Sequence, residues 1–228
     1  MSKPNLDNIF NKFQNWLNDR NSRIHPVLET YNGFLPPDEC FGVVRTGQES
    51  LPNQHIPYPI QQIEEEIRSY LTAVVENLDT FNSALEIGMG EFGGTHVLFG
   101  MVFDHVTTIE VQTSLVNNFN TSNTNDTGSI LNTSSNTAYN MPQVNSKVFD
   151  MLFIDGDHSY NQTVADFVNY YPFIRSGGVI GFHDANNQKY GVKKFLQDLE
   201  DGKVDGINHK IVNIFASFET GISYLIKP

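Results

Sequence analysis

The sequence predicts an α/β protein built on a doubly wound, mostly parallel sheet, preceded by a helical and loop-rich extension. Three observations carry this. From residue 83 onward, short apolar runs alternate with stretches whose apolar residues recur at helical spacing. The first run, Ala84-Leu85-Glu86-Ile87, passes directly into Gly88-Met89-Gly90-Glu91-Phe92-Gly93-Gly94. A strand, a glycine loop and then a helix let backbone N–H groups come close to a ligand. The last two runs, His209 to Phe215 and Gly221 to Lys227, lie too close together for a crossover helix, so they must pair as an antiparallel hairpin.

Taken in order, residues 5–17 place Leu6, Ile9, Phe10, Phe13, Trp16 and Leu17 on one helical face, and the polar stretch from Asp19 to His25 breaks the pattern. Such a helix packs on the domain or on a second subunit, and a homodimer formed through it is one arrangement the sequence allows. It lacks the basic polar face that anionic lipid requires. Residues 26–59 are rich in Pro and Gly yet hold Tyr31, Phe34, Phe41 and Tyr58, as an irregular packing segment or a cover over a site would. Ile60, Ile63, Ile67, Tyr70, Leu71, Val74, Val75 and Leu78 define an amphipathic helix, with Glu64-Glu65-Glu66 read as a solvated face near its positive end.

After the first strand, a helix is expected from about Thr95 to Phe103 and a strand from Val106 to Glu110. In the Asn/Thr/Ser-rich tract 117–137 only Ser129-Ile130-Leu131 looks strand-like, and a strand this weak belongs at a sheet edge. Val148 to Ile154 is a buried strand followed by Asp155-Gly156-Asp157-His158. Val164, Phe167, Val168 and Tyr171 mark the next helix. Arg175 to Gly178 reads as a turn, Val179 to Phe182 as a strand ending in His183-Asp184, and Val192 to Leu199 as a helix.

Composition excludes several classes. No apolar run reaches 18 residues, so no membrane span is expected. The N-terminus does not read as a secretory signal. Cys40 is the sole cysteine, so an intrachain disulfide cannot form and a cytoplasmic life is expected. The net charge of −12, with 14 scattered Lys and Arg, opposes binding to nucleic acid.

In an open parallel sheet, ligands bind beyond the carboxyl ends of the strands. Here those ends carry Gly88-Met89-Gly90, Glu110, Asp155 with His158, and His183-Asp184. Glu110 lies 22 positions after Gly88, where a carboxylate can accept both hydroxyls of an adenosine ribose. A nicotinamide dinucleotide and S-adenosylmethionine both fit a glycine loop with a ribose acid. Glu86, two residues before the first glycine, the closing hairpin and the lack of a separate substrate domain favour the second.

LEIGMGEFGG, TIE, FDMLFIDGDHSY, SGGVIGFHD and GISYLIK together resemble a class I S-adenosylmethionine-dependent methyltransferase, in the branch of small-molecule and sugar O-methyltransferases and cephalosporin-hydroxylase-like proteins. The resemblance implies a Rossmann-like seven-stranded sheet of order 3-2-1-4-5-7-6 with strand 7 antiparallel. It divides the chain into an extension, 1–79, and an S-adenosylmethionine-binding methyltransferase domain, 80–228. It also implies cofactor contacts from Glu86, Gly88, Met89, Gly90, Glu110, Val111 and Asp155, with Ser134 near the adenine, where the acid common in the family is missing.

The expected reaction is O-methylation of a small hydroxylated, sugar-like acceptor, with His158 as general base beside Asp155. A divalent ion, Mg²⁺ foremost, is expected on Asp155, His183 and Asp184, although imidazole suits Mg²⁺ poorly. The rival readings are a nicotinamide-dependent oxidoreductase and a non-catalytic binding protein that keeps the fold.

Overall fold

The computed structural model describes residues 3–24, 62–90, 93–122, 128–207, 209–215 and 220–228. The loop-rich segment 26–59, with Cys40 and His55, lies outside these residues, as do His25, Glu91 and Phe92. Seven strands form one sheet: β1 (Ser83–Ile87), β2 (His105–Glu110), β3 (Gly128–Asn132), β4 (Phe149–Ile154), β5 (Ile174–Phe182), β6 (Val212–Ile214) and β7 (Ile222–Ile226), in the order β3-β2-β1-β4-β5-β7-β6. Strands β1 to β5 pair in parallel, and β7 runs antiparallel to both β5 and β6. This is the fold class and strand order expected from the sequence.

Helices α1 (Leu6–Ile24), α2 (Glu64–Asn77) and α3 (Gly94–Gly100) precede β2. They are followed by α4 (Thr113–Ser122), the short α5 (Ser135–Ala138) and α6 (Pro142–Asn145), α7 (Tyr160–Tyr170) and α8 (Val192–Glu200). Strand alternation divides the interior in two. In β4, Met151 and Phe153 face a core built with α1, α2 and α3, whereas Phe149, Leu152 and Ile154 face one built with α7 and α8. Every residue of β4 is buried, as befits a central parallel strand. At the opposite end from the glycine loop, the Asp150 carboxylate accepts from Thr80, from the backbone of Asn82 and Ser83, and from Arg175, which clamps the starts of β1, β4 and β5.

The apolar face of α1 is spent within the chain: Ile9, Phe10, Phe13 and Leu17 join the α2 and α3 core. Arg68 lies 3.9 Å from the Phe10 ring centre, a cation–π contact. Lys3 donates to the last carbonyls of α2, at Val75 and Glu76, where a cation meets the negative helix end. Among the described residues no helix is long and apolar enough to cross a membrane.

Three local readings are corrected. The tract after Glu110 folds as α4, because Val116 and Phe119 bury against Met89. β5 begins at Ile174, five residues before the expected start. Its glycines form an irregularity within the strand, with Gly177 at φ +73° and a register shift against β4. Glu66 is fully buried, not solvated, and accepts from the Thr220 hydroxyl and the Gly221 N–H, tying α2 to the turn before β7.

Candidate active site

The strand order reverses between β1 and β4, and a cleft of about 390 Å³ opens there at the carboxyl ends. Gly88, Gly90, Glu110, Val111, Ser134 and Asp155 of the expected set line it, joined by Ile109, Gln112, Leu115, Asn136, Asp157 and Gln162. The glycines act mainly by allowing close approach of protein to protein. Gly88 has φ +86°, and a Cβ there would lie 2.0 Å from the Asp155 carbonyl oxygen. A Cβ on Gly93 would meet the Phe119 ring at 2.5 Å. The loops after β1 and β4 thus touch directly, which brings Gly88 and Asp155 into one wall.

Glu110 ends β2 with only 5% of its surface exposed. Its Oε2 accepts from the Met89 N–H at 3.0 Å and its Oε1 from the Gln112 N–H at 2.7 Å. Two lone-pair positions remain on the carboxylate for a ligand. The Met89 side chain points away into a small cluster with Val116 and Phe119, so only its backbone serves the site.

Glu86 stands behind the loop, fully buried and outside the wall of the cleft. The Thr108 hydroxyl donates to its Oε2 at 2.6 Å, and His96 Nδ1 lies 2.6 Å from that hydroxyl. Among the described residues its Oε1 has no hydrogen-bond partner. Burial pushes this carboxyl up to about 7, against the pull of His96 and of the Thr108 and Thr95 hydroxyls.

Asp155 belongs to both the cleft wall and a second cluster. His158 Nε2 is 3.2 Å and His183 Nδ1 2.9 Å from Asp155 Oδ1, and Gln62 Nε2 donates to Oδ2 at 2.6 Å. The other ring nitrogen of His158, Nδ1, lies 2.7 Å from Asp184 Oδ2. Burial opposes the charge on Asp155, but the His183 and His158 imidazoles outweigh it and hold the carboxyl well below the usual carboxylate range. Burial likewise opposes the His158 charge, yet its bonds to Asp155 and Asp184 raise it to about 10. His183 is also raised, by Asp155, despite burial. The Tyr190 ring stands edge-on to His158 with centres 4.8 Å apart and is 44% exposed.

The structure therefore gathers Asp155, His158, His183 and Asp184, but not as the sequence expected for a metal. The donor atoms that converge belong to Asp155, His158 and His183; Asp184 instead holds His158. Two imidazoles and one carboxylate do not fit Mg²⁺, which takes oxygen donors in octahedral array. S-adenosylmethionine fits better: an unpartnered buried carboxyl oxygen lies behind the loop, and a buried acid lies in the wall. Gln62 escaped sequence reasoning, since no pattern links it to an aspartate 93 positions away. Among the described residues the other histidines lie away from this cluster: His209 meets the Tyr171 hydroxyl, His96 lies under the loop and His105 lies 3.3 Å from Ser129 Oγ.

Residues 85–185 match the family described as a methyltransferase domain. Protein R132 of Acanthamoeba polyphaga mimivirus is 32% identical over 72 residues, covering 29% of this chain and 33% of that relative's length. Among solved structures, the MycE methyltransferase of the mycinamycin biosynthetic pathway, in complex with Mg, S-adenosylhomocysteine and mycinamycin VI, is similar with a TM-score of 0.53. It shares 15% identity, over 71% of this chain and 48% of that one. An rRNA methylase from Streptococcus thermophilus is similar with a TM-score of 0.53 and 11% identity, over 73% of this chain and 98% of that one. At these identities the structural likeness shows the fold alone.

Proposed function

We propose, from the premise that residues 85–185 form a methyltransferase domain of the class I S-adenosylmethionine-dependent kind, that this chain methylates a hydroxyl of a small, sugar-like acceptor. The observation that carries the reading is the pairing of Glu110 in the cleft wall with the unpartnered Glu86 Oε1 behind the loop. The first matches a ribose diol. The second lies one layer behind the wall, where an ammonium group held at the loop would stabilise the ionised carboxylate through space. Ile109, Leu115 and the exposed Val111 offer apolar surface to an adenine ring, and Ser134, Asn136 and Gln162 offer polar atoms at its edge. The small acceptor is favoured over nucleic acid by the net charge of −12.

When bound, S-adenosylmethionine supplies the electrophilic methyl group; the chain supplies position and a sink for the acceptor's proton. The proton goes to His158 Nε2, the atom that faces Asp155 Oδ1, and Asp184 on Nδ1 stabilises the imidazolium produced. Because Asp155 and Asp184 raise His158 to about 10, only its small neutral fraction acts near pH 7, and turnover should climb with pH toward that value. Asp155 joins the cofactor wall to this base. Tyr190, edge-on to His158 and partly exposed, provides a flat face for the acceptor.

Isothermal titration with S-adenosylmethionine and S-adenosylhomocysteine tests the reading. Binding of both is expected, and binding of neither overturns it. Enhanced fluorescence of added NADH, with no response to either sulfur compound, would select the oxidoreductase instead. Binding without turnover across a broad panel of hydroxylated acceptors would select the non-catalytic protein.

A further inference from the structure

We infer that Asp155 Oδ1, His158 Nε2 and His183 Nδ1 form a three-donor site for a single divalent transition ion of the zinc, cobalt(II) or iron(II) class, and not for magnesium. One donor atom from each of the three residues lies within 4.8 Å of the others. Asp155 Oδ1 is 3.2 Å from His158 Nε2 and 2.9 Å from His183 Nδ1. Metal–ligand bonds of about 2.0–2.2 Å at octahedral or tetrahedral angles space neighbouring donors by roughly 2.9–3.5 Å. The two hydrogen-bonded separations thus match two edges of a coordination polyhedron, and an ion would take the place of the hydrogen-bonding protons.

The surroundings supply the second, independent support. A metal-bound histidine nearly always gives its other ring nitrogen to a carboxylate, carbonyl or water, which fixes the ring and strengthens the donor. His158 does this with Asp184 at 2.7 Å, whereas the other ring nitrogen of His183, Nε2, is buried without a hydrogen-bond partner among the described residues. Asp184 has φ +53°, a conformation uncommon for a residue other than glycine, and in it the carboxylate meets His158 rather than joining the donors. Gln62 engages Oδ2 of Asp155 and so leaves Oδ1 as the donor. Donor type then selects the ion. Imidazole suits zinc, iron, cobalt and nickel, whereas magnesium and calcium demand oxygen.

Three protein donors leave positions open, as in catalytic rather than structural sites. An ion there would engage the same His158 nitrogen that the proposed methyl transfer uses for the acceptor's proton, so ion binding and that base role compete for one atom. The binding itself does not rest on that reading.

The test uses the full chain, stripped with a chelator and titrated with Co²⁺ under visible absorption spectroscopy. One equivalent of Co²⁺ should give ligand-field bands that Zn²⁺ abolishes and a hundredfold excess of Mg²⁺ leaves unchanged. His183→Gln should weaken Co²⁺ binding at least a hundredfold. Asp184→Asn keeps a residue type tolerant of positive φ and should weaken it by about 10–100-fold. Circular dichroism confirms that each variant is folded, and His158→Gln replaces any that is not. S-adenosylmethionine binding is measured on the same samples by calorimetry. No bands at one equivalent, displacement by equimolar Mg²⁺, or unaltered Co²⁺ affinity in the folded His183→Gln protein overturns the inference and leaves a hydrogen-bonded imidazole–carboxylate cluster. Loss of cofactor binding with Co²⁺ binding intact instead overturns the proposed function alone.

Discussion

The backbone N–H of Met89 donates to Glu110 Oε2 across 3.0 Å of buried space, joining the loop after β1 to the end of β2. The acid proposed to hold the ribose is thus also the acid that shapes the glycine loop. Cofactor binding and local order share one carboxylate, and a substitution there acts on both.

Glu110→Ala should weaken S-adenosylmethionine binding at least tenfold, about 1.4 kcal/mol. It should also cost about 1–3 kcal/mol of stability, because the Met89 and Gln112 N–H groups lose their acceptor. Calorimetric titration and urea denaturation measure the two effects separately. Unchanged affinity in a folded variant would remove the ribose role.

Gly88→Ala tests the contact between the two loops. The added methyl meets the Asp155 carbonyl oxygen at 2.0 Å and the Gly156 Cα at 3.0 Å, backbone atoms that cannot swing aside, and φ is +86°. A loss of about 2–5 kcal/mol is expected from strain and overpacking together. Gly206→Ala is the control: φ is +70° there, but none of the described residues lies within 4 Å, so only the backbone cost of about 1–2 kcal/mol remains. Equal losses at the two positions would show that the loop contact carries no weight.

The acids at the strand ends were legible in the sequence because a buried apolar run has to stop somewhere, and a charged residue directly after it marks both the stop and the site. Glu110 and Asp155 announced themselves in this way. α4 was hidden because Thr113–Ser122 is rich in residues with weak helix propensity, and its stability comes from Val116 and Phe119 packing on Met89. The spacing of Val116 and Phe119 was the signal that could have found it. Glu66 looked solvated inside a run of three acids, yet its helix position turns it inward toward Thr220 and Gly221. The partnership of His158 with Asp184 depends on where two loops meet, which strand order constrains and sequence spacing does not.

Phe13→Ala bears on whether α1 is an appendage. Phe13 is fully buried in a core shared with α2, α3, β4 and β5. Its truncation should cost about 3–5 kcal/mol, the range for a phenylalanine lost from a packed interior. Chemical denaturation should show one cooperative transition shifted to lower denaturant. A separate early transition, with the main one unmoved, would mean that the helix folds apart from the sheet.

Glu86 gives cofactor binding a pH dependence of definite sign. Burial places its carboxyl at about 7 in the protein alone, and a bound ammonium group would lower that value by favouring the ionised form. Binding therefore releases a proton when it occurs near or below pH 7, and affinity rises with pH until it levels off above 7. Calorimetry in two buffers of different ionisation enthalpy should report release of up to about one proton at pH 6 and almost none at pH 8.5. Glu86→Gln should abolish the release and flatten the profile. The same shift acts on folding: the folded state holds the proton more tightly than the unfolded chain, so this group's contribution to stability is greatest at pH values below about 4.5 and declines as pH rises toward 7. Proton uptake on binding, or a profile unaltered by Glu86→Gln, would take Glu86 out of the cofactor site.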